Sequence, residues 1–293
     1  MSDVVPPPGW VYMSPSREAL EGDATVDAPG APVGPSAGGH TPVGDRIYKR
    51  DVTTSTMDDA ALWPGGLPHG TFLVAGRQEG GRGRTGRPWT SPPGHLYVTW
   101  SWWLPWPGER APSITLEAGL VARDVALELL DGLPAADDVV LKWPNDLLVR
   151  GQKLAGVLCG WAGEWEGGCR VHVGLGLNVG AVTDDLAPGA ISIQALGGTG
   201  ATVDGALDAL VRSASARFGR LVARGTVDRD AWLQASRMVG RRVLASPPGQ
   251  APVVGEVVGL SDRGELQLVP EGPGRLGRGV LTITAGDVRL LAD

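Results

Sequence analysis

Between two apolar runs, Phe72–Ala75 and Leu96–Trp102, the chain carries Gly80-Gly81-Arg82-Gly83-Arg84-Thr85-Gly86-Arg87-Pro88-Trp89-Thr90-Ser91. The second run alternates: Leu96, Val98, Trp100 and Trp102 fall on one face, and Tyr97, Thr99 and Ser101 on the other, the period of two that marks a strand. Any fold for this chain must therefore hang a glycine- and arginine-rich loop from the end of a sheet. Glycine lets the backbone approach a ligand and turn its N–H groups inward, and arginine adds a planar charged fork suited to carboxylate or phosphate. Such a loop is built to wrap an anion. Nucleic-acid-binding segments also use Gly/Arg runs, but here the run is confined to one loop. The whole chain of 293 residues carries a net charge of −6, so it has no bulk attraction to nucleic acid.

The remaining pattern places this loop in an α+β frame. Residues 1–44 are dominated by Pro, Gly, Ala and small polar residues without periodicity and read as a largely disordered tail, with a short helix possible from Ser14-Pro15. Ordered structure is expected from about Asp45, with a strand near Ile47–Val52 and a helix over Thr56–Leu62 stopped by Pro64-Gly65-Gly66. Leu116, Leu120, Val121 and Val125 form one helical stripe. Strands follow at Val139–Lys142, Asp146–Val149, Lys153–Trp161 and Arg170–Val179, then helices at Val203–Ala223 and Asp228–Val239. The result is a mixed β-sheet with helices on one side, over residues 45–239. From residue 240 to 293, five short strands separated by Gly/Pro/Asp turns read as a small β-barrel.

Two cysteines, Cys159 and Cys169, have no histidines at metal spacing and read as core thiols in a reducing cytoplasm. The N-terminus lacks the basic start and apolar run of a secretory signal, and no apolar stretch is long enough to span a bilayer. His69, His95 and His172 show no triad spacing.

Downstream of the loop, Leu141-Lys142-Trp143-Pro144-Asn145-Asp146-Leu147-Leu148-Val149 precedes Gln152-Lys153-Leu154-Ala155-Gly156-Val157-Leu158. With the Gly/Arg loop, Thr54-Ser55-Thr56-Met57, Arg77-Gln78-Glu79 and Val173-Gly174-Leu175-Gly176-Leu177-Asn178-Val179, in this order, the chain resembles the catalytic domain of biotin protein ligases from about Asp45 onward. The resemblance implies a class II synthetase-like catalytic domain followed by an SH3-like domain. It also implies ATP and biotin as substrates, Mg²⁺, and the lysine of a biotin carboxyl carrier protein as acceptor. Many bacterial members begin with a winged helix-turn-helix. The amphipathic helices of such a module are not found in residues 1–44, so a form without the DNA-binding domain is expected, and no nucleic-acid or membrane partner. Monomer and homodimer both stay open.

A carboxylate acylates an amine at neutral pH only after one of its oxygens is made a leaving group, and such a site must neutralise two mutually repelling anions while excluding water. The resemblance assigns this work to Arg82, Arg84, Lys153 and Lys142. Ser55, Thr56, Gln78, Gly81, Arg82, Lys153, Gly156 and Gly174 would bind biotin, and Arg84, Arg87, Trp89, Asn145, Lys153 and Asn178 would bind ATP and the adenylate. Asp146 is a candidate Mg²⁺ ligand, although an Asp at a turn also satisfies local backbone N–H groups. Ser55 also suits a helix N-cap, and alternation puts Lys142 and Trp143 on opposite sides, so that one of them is buried. The family usually has Asn where Met57 stands. Two other readings keep the fold: a lipoate or octanoate ligase or transferase, which as a transferase would need a reactive cysteine that apolar Cys159 does not offer, and a non-catalytic biotin-binding regulator.

Overall fold

The computed structural model describes residues 6–14, 44, 46–165, 168–272 and 279–291. Strands β1 (Val11–Met13), β2 (Arg46–Thr53), β3 (Thr71–Gln78), β4 (Leu96–Leu104), β5 (Val139–Lys142), β6 (Asp146–Val149), β7 (Gln152–Trp165) and β8 (Gly168–Leu177) form one sheet, in the order β1-β2-β3-β4-β8-β7-β6-β5. β2 and β3 run parallel, with helix α1 (Thr56–Ala61) between them in sequence, and the other neighbours are antiparallel. This is the expected mixed sheet.

Its two faces are covered unequally. The face bearing Trp100 and Trp102, both fully buried, packs against α2 (Ile114–Leu129) and α3 (Val203–Arg224), where Phe218 stacks on Trp102 with ring centroids 6.0 Å apart. The stripe Leu116, Leu120, Val121 and Val125 is buried as the helical period requires. α3 begins on a Thr202 side-chain cap and ends at Gly225 (φ +68°), and α4 (Arg229–Ser236) begins on an Asp228 cap. The other face carries α1: the Thr99 hydroxyl donates to that of Thr56 over 2.8 Å. Helices thus lie mainly on one side, while the short α1 and the Gly/Arg loop roof the other.

The expectation that residues 1–44 are unstructured is corrected for residues 6–14. Val11–Met13 pair antiparallel with Ile47–Lys49 and extend the sheet by a strand. Trp10 packs edge-on to Trp63, centroids 6.2 Å apart, with the Arg50 guanidinium 6.0 Å from its ring. A single indole, which buries roughly 200 Å², outweighs the compositional bias of its neighbours. The helix anticipated from Ser14 onward falls outside the described residues.

β9 (Arg242–Ser246), β10 (Val253–Leu260), β11 (Leu266–Pro270), β12 (Leu281–Ile283) and β13 (Asp287–Leu290) form a separate antiparallel sheet, ordered β12-β11-β10-β9-β13, of the SH3-like kind. Its inward residues, among them Val243, Val257, Leu268 and Val288, are continuous with the main core. The Trp143 indole N–H donates to the Gly264 carbonyl over 3.0 Å, fastening this sheet beside the β5–β6 turn.

Candidate active site

The site is built where β7 starts. The β6–β7 hairpin turns through Arg150 and Gly151, both with positive φ (51° and 79°), the geometry of a tight two-residue turn. Pairing then runs Val149↔Gln152 and Leu148↔Lys153 but resumes at Leu147↔Ala155 and Asp146↔Gly156, which leaves Leu154 as an extra residue. Strict alternation would send Lys153 and Gly156 to opposite faces. The bulge brings them to the same one, as bulges re-aim side chains, and a Cβ at Gly156 would stand 3.3 Å from Lys153 Nζ. There Lys153 Nζ lies 2.6 Å from Asp146 Oδ1 and 5.0 Å from the centre of the Trp89 ring. A backbone clamp holds this end: Asn178, almost fully buried, donates its side-chain N–H groups to the carbonyls of Lys153 (3.2 Å) and Ile191 (3.0 Å).

In front of Lys153 the sheet is paved with glycine. Gly156 and Gly176 are register partners, and a Cβ at Gly176 would come within 2.5 Å of the Trp89 indole, one at Gly156 within 2.9 Å. Trp89 therefore rests on the sheet itself, and no side chain larger than hydrogen fits beneath it. Met57 covers the next stretch, 3.0 Å from where a Cβ of Gly174 would be. Gly81 lets the loop close: its carbonyl accepts the Trp89 N–H at 2.8 Å, and a Cβ there would stand 2.6 Å from the Trp89 carbonyl oxygen.

A relay of hydrogen bonds lines the inner wall. Thr56 Oγ1 accepts from Thr99, and Gln78 Oε1 accepts from the Thr56 amide (2.9 Å) and hydroxyl (3.1 Å). Gln78 Nε2 then donates to Ser91 Oγ, which donates to the Trp89 carbonyl, each over 3.1 Å. Thr56 and Gln78, both assigned to biotin by the resemblance, are thus joined directly. Ser55 holds the N-cap position of α1 with extended backbone and is almost fully buried, but its hydroxyl makes no capping bond.

Each loop arginine has a protein partner. Arg82 pairs with Asp58 in the first turn of α1. Arg84 donates to Asn145 Oδ1 (3.5 Å) and to the Gly286 carbonyl (3.2 Å), while Asn145 Nδ2 donates to the Val157 carbonyl at 2.7 Å. Arg87 lies 2.5 Å from Asp287. The loop therefore bridges α1, the β5–β6 turn and the C-terminal sheet. Burial disfavours the charged form of Arg84, with Asp287 and Asp146 opposing that effect. Lys142 forms no ion pair with a described residue; its Cα lies opposite Asp146, and its neighbour Trp143 is the buried member of that pair. Asp146 is already engaged by Lys153, and among the described residues no cluster of three or more His, Cys, Asp or Glu could hold a metal. A cleft of about 450 Å³ beside Arg84 runs along Trp143, Pro144, Val157 and Cys159 to Thr284 of the C-terminal segment. Burial pushes the Cys159 thiol up to about 12, so it is not a thiolate at neutral pH.

Sequence reading missed Asp58, Ser91, Asp287 and the floor contact of Met57. Asp58 was open to detection, since an acid in the first turn of a helix that starts at Ser55 faces whatever cation passes there. The others depend on contacts between distant segments.

Residues 48–178 match the model of the biotin/lipoate A/B protein ligase family. The biotin–[acetyl-CoA-carboxylase] ligase of Paracoccus denitrificans is 35% identical over 74% of this chain and 91% of its own length. That of Mycobacterium tuberculosis is 30% identical over 75% and 78%. The solved biotin protein ligase of Aquifex aeolicus in complex with biotin and ATP superposes with a TM-score of 0.64 at 25% identity, covering 84% of this chain and 99% of that one. A bulged lysine at the end of a glycine floor, beside an arginine loop and a Thr–Gln relay, thus sits in a chain that belongs to the biotin protein ligase family.

Proposed function

We propose that this chain is an ATP-dependent biotin protein ligase, and the observation that carries the reading is the meeting of Lys153, Trp89 and the Arg84–Asn145 pair at one end of the floor that the Thr56–Gln78 relay borders. In the first half-reaction a biotin carboxylate oxygen attacks the α-phosphorus of ATP. A P–O bond forms, the bond to the β-phosphate oxygen breaks, and pyrophosphate leaves. In the second, the neutral amine of a carrier lysine attacks the carbonyl carbon of biotinyl-5′-AMP, the C–O bond to AMP breaks, AMP leaves, and the proton of the amine passes to solvent.

The first step brings two anions together and the second gathers negative charge on the carbonyl oxygen and the departing phosphate, and fixed cations that need not reorganise lower both barriers. Lys153 takes the bridging position between carboxylate and α-phosphate, its backbone held by Asn178 and its ammonium steadied by Asp146 and the Trp89 face. Arg82 serves the carboxylate side, with Gly81 letting the loop close, and Gly156 and Gly174 border biotin as the flat floor that lets Trp89 and Met57 lie close to the sheet. Arg84, Arg87 and Asn145 serve the phosphates, and these ligands displace their present contacts with Gly286 and Asp287. Asn178 acts by positioning Lys153, and Lys142 supplies charge from β5 without direct contact to the relay. Ser55, Thr56 and Gln78 offer donors and acceptors for the ureido ring. Mg²⁺ would come with ATP, held by phosphate and water, and Asp146 is the residue that would add a carboxylate oxygen to it.

The acceptor is the carrier protein or domain of a biotin-dependent carboxylase, modified in the cytoplasm. Residues 45–239 form the catalytic body and 240–293 the accessory domain that closes the phosphate side. The test is isotope exchange of pyrophosphate into ATP with biotin, lipoate or octanoate. Exchange with biotin alone supports the proposal. Exchange with lipoate or octanoate but not biotin moves the substrate within the same chemistry, and biotin binding without exchange leaves a binding-only regulator.

A further inference from the structure

On the face that carries Gly156, three rows cross β4, β8 and β7: Tyr97–Gly176–Gly156, Thr99–Gly174–Leu158 and Ser101–His172–Gly160. Trp89 stands on the first row. Met57 lies over the second and third: its Cγ and Sδ are 3.0 Å from the place of a Gly174 Cβ, and its Cε is 3.3 Å from that of a Gly160 Cβ. Nothing larger than hydrogen occupies either glycine position, so the thioether lies directly on the sheet. In the third row, Ser101 Oγ and His172 Nε2 are buried without a hydrogen-bond partner among the described residues.

A carboxylic acid anchored at Lys153 advances along β7 from the first row toward the third, roughly 13 Å at the rise of a strand. Trp89 covers the first row and Leu158 stands on the same face of β7; beyond Trp89, the side chain that lies down over the glycines of the second and third rows is Met57. An unbranched side chain with three rotatable bonds yields to a fitting ligand but still occupies volume. We propose that Met57 is the specificity-determining end wall of the groove, and that its reach over Gly174 and Gly160 sets the longest acid the site takes. This inference rests on the ligase reading above and names what limits the acid in that site. The occupants it favours are carboxylic acids with a compact head, and those it excludes are the same acids lengthened by a methylene.

The experiment compares biotin with a biotin analogue whose chain is one methylene longer, by kcat/KM for pyrophosphate exchange and by calorimetric Kd, in the full chain. One methylene too many in a closed pocket costs roughly 10- to 200-fold, and the wild-type protein is expected to show that discrimination. Met57→Ala removes Cγ, Sδ and Cε, and the ratio is expected to fall by at least tenfold in both readouts. Met57→Leu, which keeps the bulk, is expected to retain it. Gly160→Ala forces the methionine tip forward and is expected to sharpen it, which also provides a second arm should Met57→Ala fail to fold. A ratio unchanged in folded Met57→Ala, or unmoved by Gly160→Ala where the first variant does not fold, overturns the proposal. Wild-type protein that binds both acids but exchanges with neither overturns the ligase reading instead, and the Kd ratio still judges the wall. Binding of neither acid overturns both.

Discussion

Replacing Lys153 by methionine should separate chemistry from stability. The ammonium lies 2.6 Å from Asp146, but the two side chains are 36% and 21% exposed. A pair so open to water contributes about 0–1 kcal/mol. The methionine keeps most of the length and bulk of the lysine stem, so folding should lose no more than about 1 kcal/mol. Transition-state stabilisation is a different matter. Charge develops between carboxylate and phosphate inside a site closed by Trp89, where the loss of one preorganised donor costs about 2.7–4 kcal/mol, or roughly 10²- to 10³-fold in rate. Pyrophosphate exchange at saturating biotin and ATP reads the second quantity, and the urea midpoint, with an unchanged slope, reads the first. A folded variant that exchanges within tenfold of wild type would refute the role given to Lys153. A stability loss above about 2 kcal/mol would show instead that the Lys153–Asp146 pair holds the hairpin.

Glu117 inverts that pattern. Its carboxylate is buried, receives Arg217 and Arg224 at 3.3 Å each and the Asp228 amide at 3.0 Å, and so ties α2, α3 and α4 together. Glu117→Ala should cost about 3 kcal/mol in urea unfolding, the low end for breaking a buried pair, because Arg217 keeps two bonds to Asp124. Exchange in the fraction still folded should be little changed. Burial holds the imidazoles of His69 and His172 down to about 4, against 6.5 unfolded, and Arg170 adds to the effect at His172. With depressed folded values, the unfolded chain binds protons first, so stability is full above pH 6.5 and declines as pH falls toward 4. Each histidine should account for about 2 kcal/mol lost between pH 7 and pH 5, and replacing either one with an isostere that does not titrate should flatten the profile by its share. Gly176→Ala would put a methyl 2.5 Å from Trp89. The indole must shift, and the KM for biotin should rise at least tenfold with little change in the urea midpoint; an unaltered KM would show that Trp89 does not border the ligand.

Much of the frame was legible from local pattern. Trp100 and Trp102 alternate with Thr99 and Ser101, a period that one sheet face demands, and Val139–Lys142 and Asp146–Val149 are strands with the bounds their composition implied. The relay partners Thr56 and Gln78 were named together through the family resemblance, because both match its biotin contacts, and their direct hydrogen bonds came only with the folded chain. Val11–Met13 were not legible as a strand, because three residues in a Pro/Gly-rich stretch carry too little periodicity, and their pairing with β2 is anchored by Trp10 against Trp63, 53 positions apart in sequence.

What the sequence determined by itself was the inventory: a loop of alternating glycine and arginine, a lysine opening an apolar strand, glycines at positions 156, 174 and 176, and a small β-rich segment at the end. Each follows from short-range rules, in which residue type constrains backbone conformation, period constrains burial, and fixed charge constrains the partner. What only the tertiary structure decided was direction. The extra residue at Leu154 turned Lys153 onto the glycine face, long-range packing set Trp89 on Gly176, and the C-terminal sheet brought Gly286 and Asp287 to the loop arginines. A one-residue change of register reverses the face a side chain points to, and neither a bulge nor a contact across 200 positions has a local signature, so these facts exist only once the strands have paired.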